Sequence, residues 1–158
     1  MAQVSIYTDG SSRGNPGPGG FGVVLMSGAH RKELSEGFRH TTNNRMELLS
    51  VIVALESLKG GSHDVVICSD SKYVVDAVAK KWVFGWEKKN FKDKKNADLW
   101  IRFLRIYPKN KVRFQWVRGH AGNVFNERCD VLAFEAASGS DLKQDAVFER
   151  ENGFSANS

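Results

Sequence analysis

The sequence predicts an α/β protein in which a mixed β-sheet carries helices on its faces. Three observations support this fold class. Apolar and polar residues alternate near the N-terminus, as they do in strands with one buried face. From residue 45 the apolar residues recur at helical spacing. Residues 65–68 form a short, wholly apolar run, which is typical of a strand buried on both faces.

The first 38 residues predict three strands that follow one another as a meander. Residues 4–8 form the first strand, and residues 21–26 and 31–38 form the second and third. Residues 27–29 predict the hairpin that joins the last two. Residues 10–20 are so rich in glycine and proline that we expect an irregular loop there.

Helices and strands alternate along the rest of the chain. In order, we predict a helix over 45–59 ended by Gly60 and Gly61, a buried strand at 65–68 and a helix from about 71 to 81. A lysine-rich stretch follows. After it we predict a helix from about 97 to 106 ended by Pro108, a strand over 111–117 and a last helix over 126–137.

The length of the chain limits its domain organisation. A chain of 158 residues is long enough for one domain with a substantial core and too short for two. We therefore expect a single domain over residues 1–140. Residues 141–158 are polar and carry no motif, so we expect a flexible tail there.

The composition indicates a soluble cytoplasmic protein with no membrane contact. No apolar run approaches the roughly 20 residues that span a bilayer. The N-terminus lacks the charged and apolar regions of a secretion signal. Cys68 and Cys129 lie among apolar neighbours without metal-binding spacing. They predict buried free thiols in a reducing compartment.

The net charge of +5 is confined to residues 80–95, which we call the basic segment. It holds seven lysines and two acidic residues, and the charges of the rest of the chain balance. It also holds four aromatic residues: Trp82, Phe84, Trp86 and Phe91. A cationic stretch interleaved with aromatic residues predicts nucleic-acid binding. The alternative is a solvated helical surface whose aromatic residues face the core.

Four acidic residues stand at positions where acids are unexpected. Asp9 follows the first predicted strand, and Asp70 follows the buried strand. Glu47 and Asp130 each lie within a predicted helix, at the head of an apolar stripe. Functional sites in open α/β sheets collect at the ends of strands. We therefore expect the four carboxylates to converge at one edge of the sheet.

Each of these acids also has a simpler explanation. Asp70 could cap the helix that follows it, and Glu47 could close a capping box that begins at Asn44. Asp9 could be a turn residue, and Asp130 could pair with an arginine. Taken singly, such roles are the commoner ones for acids at these positions.

Together, the four acids predict a metal site. Crowded carboxylates repel one another and stay ionised only if a cation compensates. Oxygen ligands without cysteine favour Mg²⁺ or Mn²⁺ over zinc. His120 lies between glycines in a loop, which is a poor place for a core histidine. It is either an exposed loop residue or a proton carrier near the metal ions.

Five motifs make the chain resemble the bacterial type 1 ribonucleases H, in order, over about residues 3 to 137. Each motif is modest alone, but the ordered set is highly specific. The motifs are Thr8-Asp9-Gly10-Ser11, the glycine-rich run at 14–20, Thr41-Thr42-Asn43-Asn44-Arg45-Met46-Glu47-Leu48, Ser69-Asp70-Ser71, and Gly119-His120-Ala121-Gly122 with Asn126-Glu127-Arg128-Cys129-Asp130.

The resemblance implies a fold and a mechanism. The sheet would have five strands, the first three antiparallel. Two Mg²⁺ ions, or Mn²⁺ as a possible substitute, would be held by Asp9, Glu47, Asp70 and Asp130. Two metal ions suit phosphodiester hydrolysis, because one activates water and the other stabilises the leaving oxygen. The products would carry a 5′-phosphate and a 3′-hydroxyl, and His120 would assist proton transfer or product departure.

The resemblance also implies the substrate, which is the RNA strand of an RNA/DNA hybrid. The RNA strand would lie along Gly10, Ser12, Asn15, Asn44 and Lys72. A phosphate of the DNA strand would be held by Asn15, Thr42 and Asn43. The DNA strand would continue along the basic segment, at Lys80, Lys81, Trp82, Trp86, Lys88, Lys89, Lys92, Lys94 and Lys95. Phosphate contacts make such binding salt-sensitive and nearly independent of sequence.

The implied cellular role is removal of RNA primers and R-loops by a monomeric enzyme. Two other functions remain open. One is a DNA-cutting nuclease of the same broad fold, such as a resolvase or an integrase core. The run at 41–48, the loop around His120 and the basic segment argue against it. The other is a nucleic-acid-binding module, which would not need the four acids.

Overall fold

A single mixed sheet of five strands organises the molecule. The computed structural model describes residues 3–118 and 122–153. The strands are β1 (Gln3–Ser12), β2 (Gly17–Ser27), β3 (His30–Thr41), β4 (Asp64–Ser69) and β5 (Lys111–Trp116). Their order in the sheet is β3-β2-β1-β4-β5. The first three strands are antiparallel, and β4 runs parallel to both β1 and β5, so the predicted fold class is confirmed.

Six α-helices accompany the sheet within the described residues. They are α1 (Asn43–Glu56), α2 (Lys72–Ala79), α3 (Trp82–Lys88), α4 (Ala97–Ile106), α5 (Val124–Ser138) and α6 (Ala146–Asn152). The main core lies between the sheet and α1, and α4 packs on the outside of α1. A smaller apolar cluster around Val24, Cys129 and Leu132 lies under α5, on the other face. No helix among the described residues is long and apolar enough to cross a membrane.

The glycine-rich run at 10–20 is not the irregular loop that the sequence predicts. β1 continues to Ser12 and β2 begins at Gly17, so only residues 13–16 form the turn. The glycines serve close packing instead. A Cβ at Gly10 would lie 2.4 Å from the carbonyl carbon of Met46 in α1, and one at Gly20 would lie 2.6 Å from the carbonyl oxygen of Ala133 in α5. The missing side chains therefore let both helices sit directly on the sheet.

Most other elements agree with the sequence to within a few residues. The hairpin between β2 and β3 turns at Gly28 and Ala29, as predicted. α1 begins at Asn43 because the hydroxyl of Thr42 accepts the backbone N–H of Arg45. It ends at Glu56, three residues before the predicted end. Cys68 and Cys129 are free and buried, as the sequence predicts.

The described part of the segment after α5, residues 139–153, differs from the flexible polar tail that the sequence predicts. Lys143 forms a parallel bridge with Phe38 of β3, and residues 146–152 form α6. Asp145 is buried and accepts hydrogen bonds from Thr41 and Arg45. Charged partners elsewhere in the chain therefore order this segment, and its composition alone could not reveal them.

Candidate active site

Four elements bring the predicted acids to one edge of the sheet. Asp9 lies near the end of β1, and Asp70 directly follows the neighbouring parallel strand β4. Glu47 lies in the second turn of α1, and Asp130 lies in α5. The carboxylate oxygens of Asp9, Glu47 and Asp70 lie within 4.8 Å of one another. Asp130 lines the same cleft and contributes to the raised pKa of Asp9.

The capping and turn explanations do not hold for these acids. Ser71, not Asp70, caps α2, because its hydroxyl accepts the backbone N–H of Val74. Thr42 caps α1, which leaves Glu47 without a capping role. Asp9 lies within a strand, opposite Gly22 of β2. No described arginine or lysine forms an ion pair with Asp130.

The electrostatics of the cluster favour the binding of a cation. Burial, and then the charge of Asp70, raises the pKa of Asp9 from its usual 3.8 to about 7. Burial, and then the charge of Asp9, raises the pKa of Glu47 well above its usual value. Glu47 also has a buried carboxylate oxygen, Oε2, without a hydrogen-bond partner. Buried orphan acceptors are rare, and a divalent cation would satisfy this one and offset the repulsion. The donor set of hard oxygens fits Mg²⁺ or Mn²⁺.

The acids open onto a cleft that also holds polar and cationic groups. Three of the residues predicted to contact an RNA strand line it: Gly10, Asn44 and Lys72. Asn43, predicted for a DNA phosphate, lies there too. Three further lining residues were not predicted as site residues: Ser11 and Ser71, which belong to the quoted motifs, and Tyr73. Tyr73 accepts hydrogen bonds from Asn96 and Trp100, a tertiary arrangement without a local sequence signal.

A connected set of polar side chains lies beside the cleft, where the sequence predicts a phosphate pocket. The backbone N–H of Asn43 donates to Oδ1 of Asn15 over 3.1 Å. Oδ1 of Asn43 accepts the backbone N–H of Ser12 over 2.5 Å and its hydroxyl over 3.1 Å. Among the described residues, none accepts a hydrogen bond from the side-chain NH₂ of Asn15 or Asn43. Both groups are therefore oriented as donors and can bind an anionic oxygen.

The basic segment has both of the features that the sequence left open: an exposed cationic surface and aromatic residues that face the core. α3 covers its first half. Val83 and Phe91 are buried in the main core, and Phe84 packs against Tyr107. All seven lysines are exposed. Trp82 is 48% exposed, and the side-chain nitrogen of Lys80 lies 5.2 Å from the centre of its ring.

The outer surface of the basic segment forms an open groove. It is lined by Lys81, Trp82, Gly85, Trp86, Lys89, Lys92, Asp93 and Lys94. Lys94 and Lys95 also line a second pocket, which they share with Asn15, Thr42 and Asn44. The structure thus joins the basic segment to the polar set beside the cleft. Lys88 is exposed but lines neither pocket.

Of the other predicted site residues, His120 lies outside the described residues. Ser12 does not line the acidic cleft, although it binds Asn43 at its rim. The sequence also missed Trp116, which is 44% exposed and donates its indole N–H to the backbone oxygen of Asp70 over 3.2 Å. The amine of Lys72 lies 4.8 Å from the centre of the Trp116 ring.

This arrangement suits hydrolysis of a phosphodiester in a nucleic acid. Clustered carboxylates can hold divalent cations, which act on phosphoryl oxygens and water. The donors at Asn15 and Asn43 and the exposed lysines can hold the phosphates that flank the reacting one. None of these contacts selects a base sequence.

Comparison with known proteins agrees with the geometry. The sequence profile of the RNase H family matches residues 1–138. A ribonuclease H of Syntrophus aciditrophicus is 55% identical over 148 residues, covering 90% of this chain and 85% of the relative. A ribonuclease H of Trichodesmium erythraeum is 51% identical over 152 residues, covering 93% of this chain and 96% of the relative.

Two solved structures are also similar to this chain. LC9-RNase H1, described as a type 1 RNase H with the type 2 active-site motif, has a TM-score of 0.80 and 34% identity, covering 98% of this chain and 82% of that protein. LC11-RNase H1, solved in complex with an RNA/DNA hybrid, has a TM-score of 0.66 and 27% identity, covering 85% of this chain and 96% of that protein.

Proposed function

The chain belongs to the ribonuclease H family, a family of hydrolases, and we propose that it is an endonuclease that cuts the RNA strand of RNA/DNA hybrids. The observation that carries this proposal is the convergence of Asp9, Glu47 and Asp70, with their oxygens within 4.8 Å of one another. A fold alone would not name a reaction. A carboxylate cluster beside phosphate-binding groups does indicate one.

The four acids would hold two Mg²⁺ ions, with Mn²⁺ as a possible substitute. When bound, the ions would activate the attacking water and stabilise the departing 3′ oxygen, which gives 5′-phosphate and 3′-hydroxyl ends. The buried orphan oxygen of Glu47 and the raised pKa of Asp9 support this assignment, because both features lose their energetic cost beside a cation.

The side chains of the protein would supply orientation and proton transfer. Asp9, Glu47, Asp70 and Asp130 would hold the cations at the ends of β1 and β4 and would thereby fix the place where the phosphate reacts. His120 would carry a proton to or from this site, since histidine titrates near neutral pH. Lys72 lines the cleft and would balance the negative charge of the phosphate.

Recognition of the hybrid would be divided between two surfaces. The RNA strand would lie along Gly10, Ser12, Asn15, Asn44 and Lys72, where its 2′-hydroxyls distinguish it from DNA. A phosphate of the DNA strand would bind between Asn15, Thr42 and Asn43. The pocket shared by Asn15, Thr42, Lys94 and Lys95 supports a continuous path from there to the basic segment.

The cellular role would be removal of RNA primers and R-loops in the cytoplasm, by a monomer that needs no sequence motif in its substrate. Lysines that contact phosphates read charge and spacing, not bases. The basic segment carries the whole net charge of +5, so one surface can supply most of the nonspecific binding.

Cleavage of an end-labelled RNA/DNA duplex in Mg²⁺ tests this function. Single-stranded RNA, duplex RNA and duplex DNA serve as matched substrates, each with and without EDTA. We expect cutting only in the RNA strand of the hybrid and none in EDTA. The 5′ fragment should be extended by poly(A) polymerase without phosphatase treatment, because it ends in a 3′-hydroxyl.

The other outcomes identify the alternatives. If folded protein binds the hybrid but leaves it intact in both Mg²⁺ and Mn²⁺, the chain is a binding module. If it cuts the DNA duplex instead, the resolvase or integrase type of activity is correct. A product that needs phosphatase before extension would contradict the proposed direction of cleavage.

A further inference from the structure

One buried arginine connects three separate segments of the chain. Arg45 lies in the first turn of α1 and is 2% exposed. Its guanidinium donates to both oxygens of Asp145 over 2.8 and 2.9 Å. It also donates to both oxygens of Asp98 over 2.9 and 2.7 Å, and to Oδ1 of Asn96 over 3.2 Å. Every N–H of the guanidinium is therefore used.

The partners of Arg45 belong to segments that border the proposed binding surface. Asn96 directly follows the basic segment, and Asp98 is the second residue of α4. Asn96 in turn donates to the hydroxyl of Tyr73, which lines the acidic cleft. The network thus reaches from α1 to the basic segment and on to α2.

The third segment lies beyond the part of the chain that the family profile matches. Asp145 precedes α6, and its Oδ2 also accepts the hydroxyl of Thr41 over 2.7 Å. Phe148, Glu151 and Asn152 of α6 line the pocket that holds Asn15, Thr42, Lys94 and Lys95. The family profile ends at residue 138, so it assigns no role to this segment.

We propose that Asp145 is a positioning residue for hybrid binding. Through Arg45 it holds the first turn of α1, with Thr42 and Asn44, against the end of the basic segment, with Lys94 and Lys95. The proposal rests on the proposed function and adds the C-terminal segment to its binding apparatus. A rigid bidentate contact on each side of one guanidinium is well suited to fix two surfaces at a set distance.

The position of Asp145 makes a charge effect distinguishable from a positioning effect. Its carboxylate is negative and near a surface that would bind phosphates, so its charge alone opposes binding. Asp145→Asn keeps the shape of the side chain, removes that charge and weakens the contacts to Arg45 and Thr41. A charge effect would therefore tighten binding, whereas loss of positioning would weaken it.

Steady-state cleavage of the hybrid at 25 °C tests the proposal with four variants. Asp145→Asn and the milder Asp98→Asn loosen the Arg45 network from opposite sides. Glu151→Gln removes a carboxylate from the same pocket without touching Arg45. Glu149→Gln breaks the Arg39–Glu149 pair in the same helix α6 without removing a contact of Arg45 or a side chain of the pocket lining, and controls for stability. The melting temperature of each variant is measured beside its KM and kcat.

We expect the first two variants to raise KM by about three- to tenfold and to leave kcat within about twofold, since a lost positioning contact weakens binding and not the chemical step. Glu149→Gln should lower the melting temperature without raising KM. Glu151→Gln should lower KM slightly.

Three results would overturn the proposal. KM could stay unchanged in both Asp145→Asn and Asp98→Asn, it could rise equally in Glu149→Gln, or it could fall in Asp145→Asn as in Glu151→Gln. If Asp145→Asn does not fold, Asp98→Asn decides alone. If the wild type does not cleave the hybrid, the proposed function fails. Fluorescence anisotropy with a labelled hybrid in EDTA then compares the affinities of the same four variants directly, without cleavage.

Discussion

At the residue scale, Glu47 shows how the candidate site departs from ordinary packing. It occupies the second turn of a helix whose neighbouring positions fill the core, and one of its oxygens is buried without a partner. Burial raises the pKa of Glu47, which means that the ionised form is disfavoured in the metal-free protein. A carboxylate in this place costs stability, and the proposed cation binding would account for its position.

The pKa of Asp9 predicts that the metal-free protein is less stable at neutral than at mildly acidic pH. Its folded-state pKa is raised from 3.8 to about 7, so this contribution to stability is present below pH 4 and is lost as the pH rises through 7. Between pH 5 and 7.5 we expect the free energy of unfolding in EDTA to fall by on the order of 2 kcal/mol. Urea unfolding at the two pH values measures it.

Asp9→Asn is the matched variant for this prediction. It removes the titrating group, so the fall in stability between the two pH values should shrink and the variant should be more stable than the wild type at pH 7.5 in EDTA. Mg²⁺ should raise the melting temperature of the wild type more than that of the variant. Equal pH dependence in both proteins would show that repulsion at Asp9 is not the cause.

A substitution at Asp70 should impair cleavage of the hybrid without impairing binding of the hybrid. Asp70→Asn weakens the cation site but leaves the polar set at Asn15 and the basic segment intact. We expect cleavage to fall by about a hundredfold or more while the affinity for the hybrid changes by less than about threefold. Asp76→Asn, on the outer part of α2, is the control and should cleave normally. Near-normal cleavage by Asp70→Asn would contradict the metal assignment.

At the element scale, the basic segment forms a surface because α3 presents two different faces. Val83 of α3 and Phe91, which follows α3, anchor the basic segment to the core. Trp82 and the lysines of the segment stay exposed. The sequence predicted its charge and aromatic content, but not which aromatic residues face outward. That assignment depends on contacts such as Phe84 with Tyr107 and Trp86 with Trp100, which join residues distant in sequence.

Charge reversal on this surface should weaken binding specifically. We expect Lys89→Glu with Lys92→Glu to raise KM for the hybrid by about tenfold and to flatten the dependence of log Kd on log salt by one to two units, since about one counterion is released per phosphate contact. The rate constant kcat should stay within about twofold. A salt titration of Kd and steady-state kinetics measure both effects.

The control for this prediction changes the same amount of charge elsewhere. Lys32 lies near the start of β3, at the end of that strand away from Thr42, and Lys59 follows the far end of α1. Lys32→Glu with Lys59→Glu should leave most of the salt dependence in place. An equal loss of affinity in the two double variants would indicate a general field effect and would contradict a binding role for the groove.

The close contact between β2 and α5 predicts a large effect of one methyl group. Gly22→Ala would place its Cβ against the backbone oxygen of Cys129, so α5 must move away from the sheet. We expect a loss of about 2–4 kcal/mol in the free energy of unfolding. Gly85→Ala is the control, since no atom lies within 4 Å of a Cβ there, and it should be neutral or slightly stabilising. Equal stability in both variants would contradict the packing role.

At the scale of the whole molecule, the segment after α5 completes the domain. Phe38 and Arg39 of β3 pair with Lys143 and Glu149, and Asp145 reaches Arg45 of α1. Removing residues 140–158 would leave the buried guanidinium with Asp98 and Asn96 alone. We expect a loss of about 2–4 kcal/mol in stability, because a buried charge that loses a partner is costly. Urea unfolding measures this loss, and an unchanged urea midpoint would show that the segment does not contribute to stability.

Much of the molecule was determined by its sequence alone. Periodicity predicted the strands and most helices because side-chain alternation reports directly which face of an element is buried. The acids at strand ends and the charge of residues 80–95 predicted a cation site and a nucleic-acid-binding surface, since clustered carboxylates attract cations and clustered lysines attract phosphates. The motif order added the family, which the comparisons confirmed.

Other features were decided only by the tertiary structure. The glycines at 10–20 predicted a loop because glycine permits turns, yet here glycine serves close approach between a strand and a helix, which only the packed partners reveal. The same applies to the segment after residue 140, whose polar side chains find buried partners on β3 and α1. Local sequence reports the preference of a residue, whereas the energy of a buried ion pair or a close contact depends on atoms that the fold brings from far along the chain.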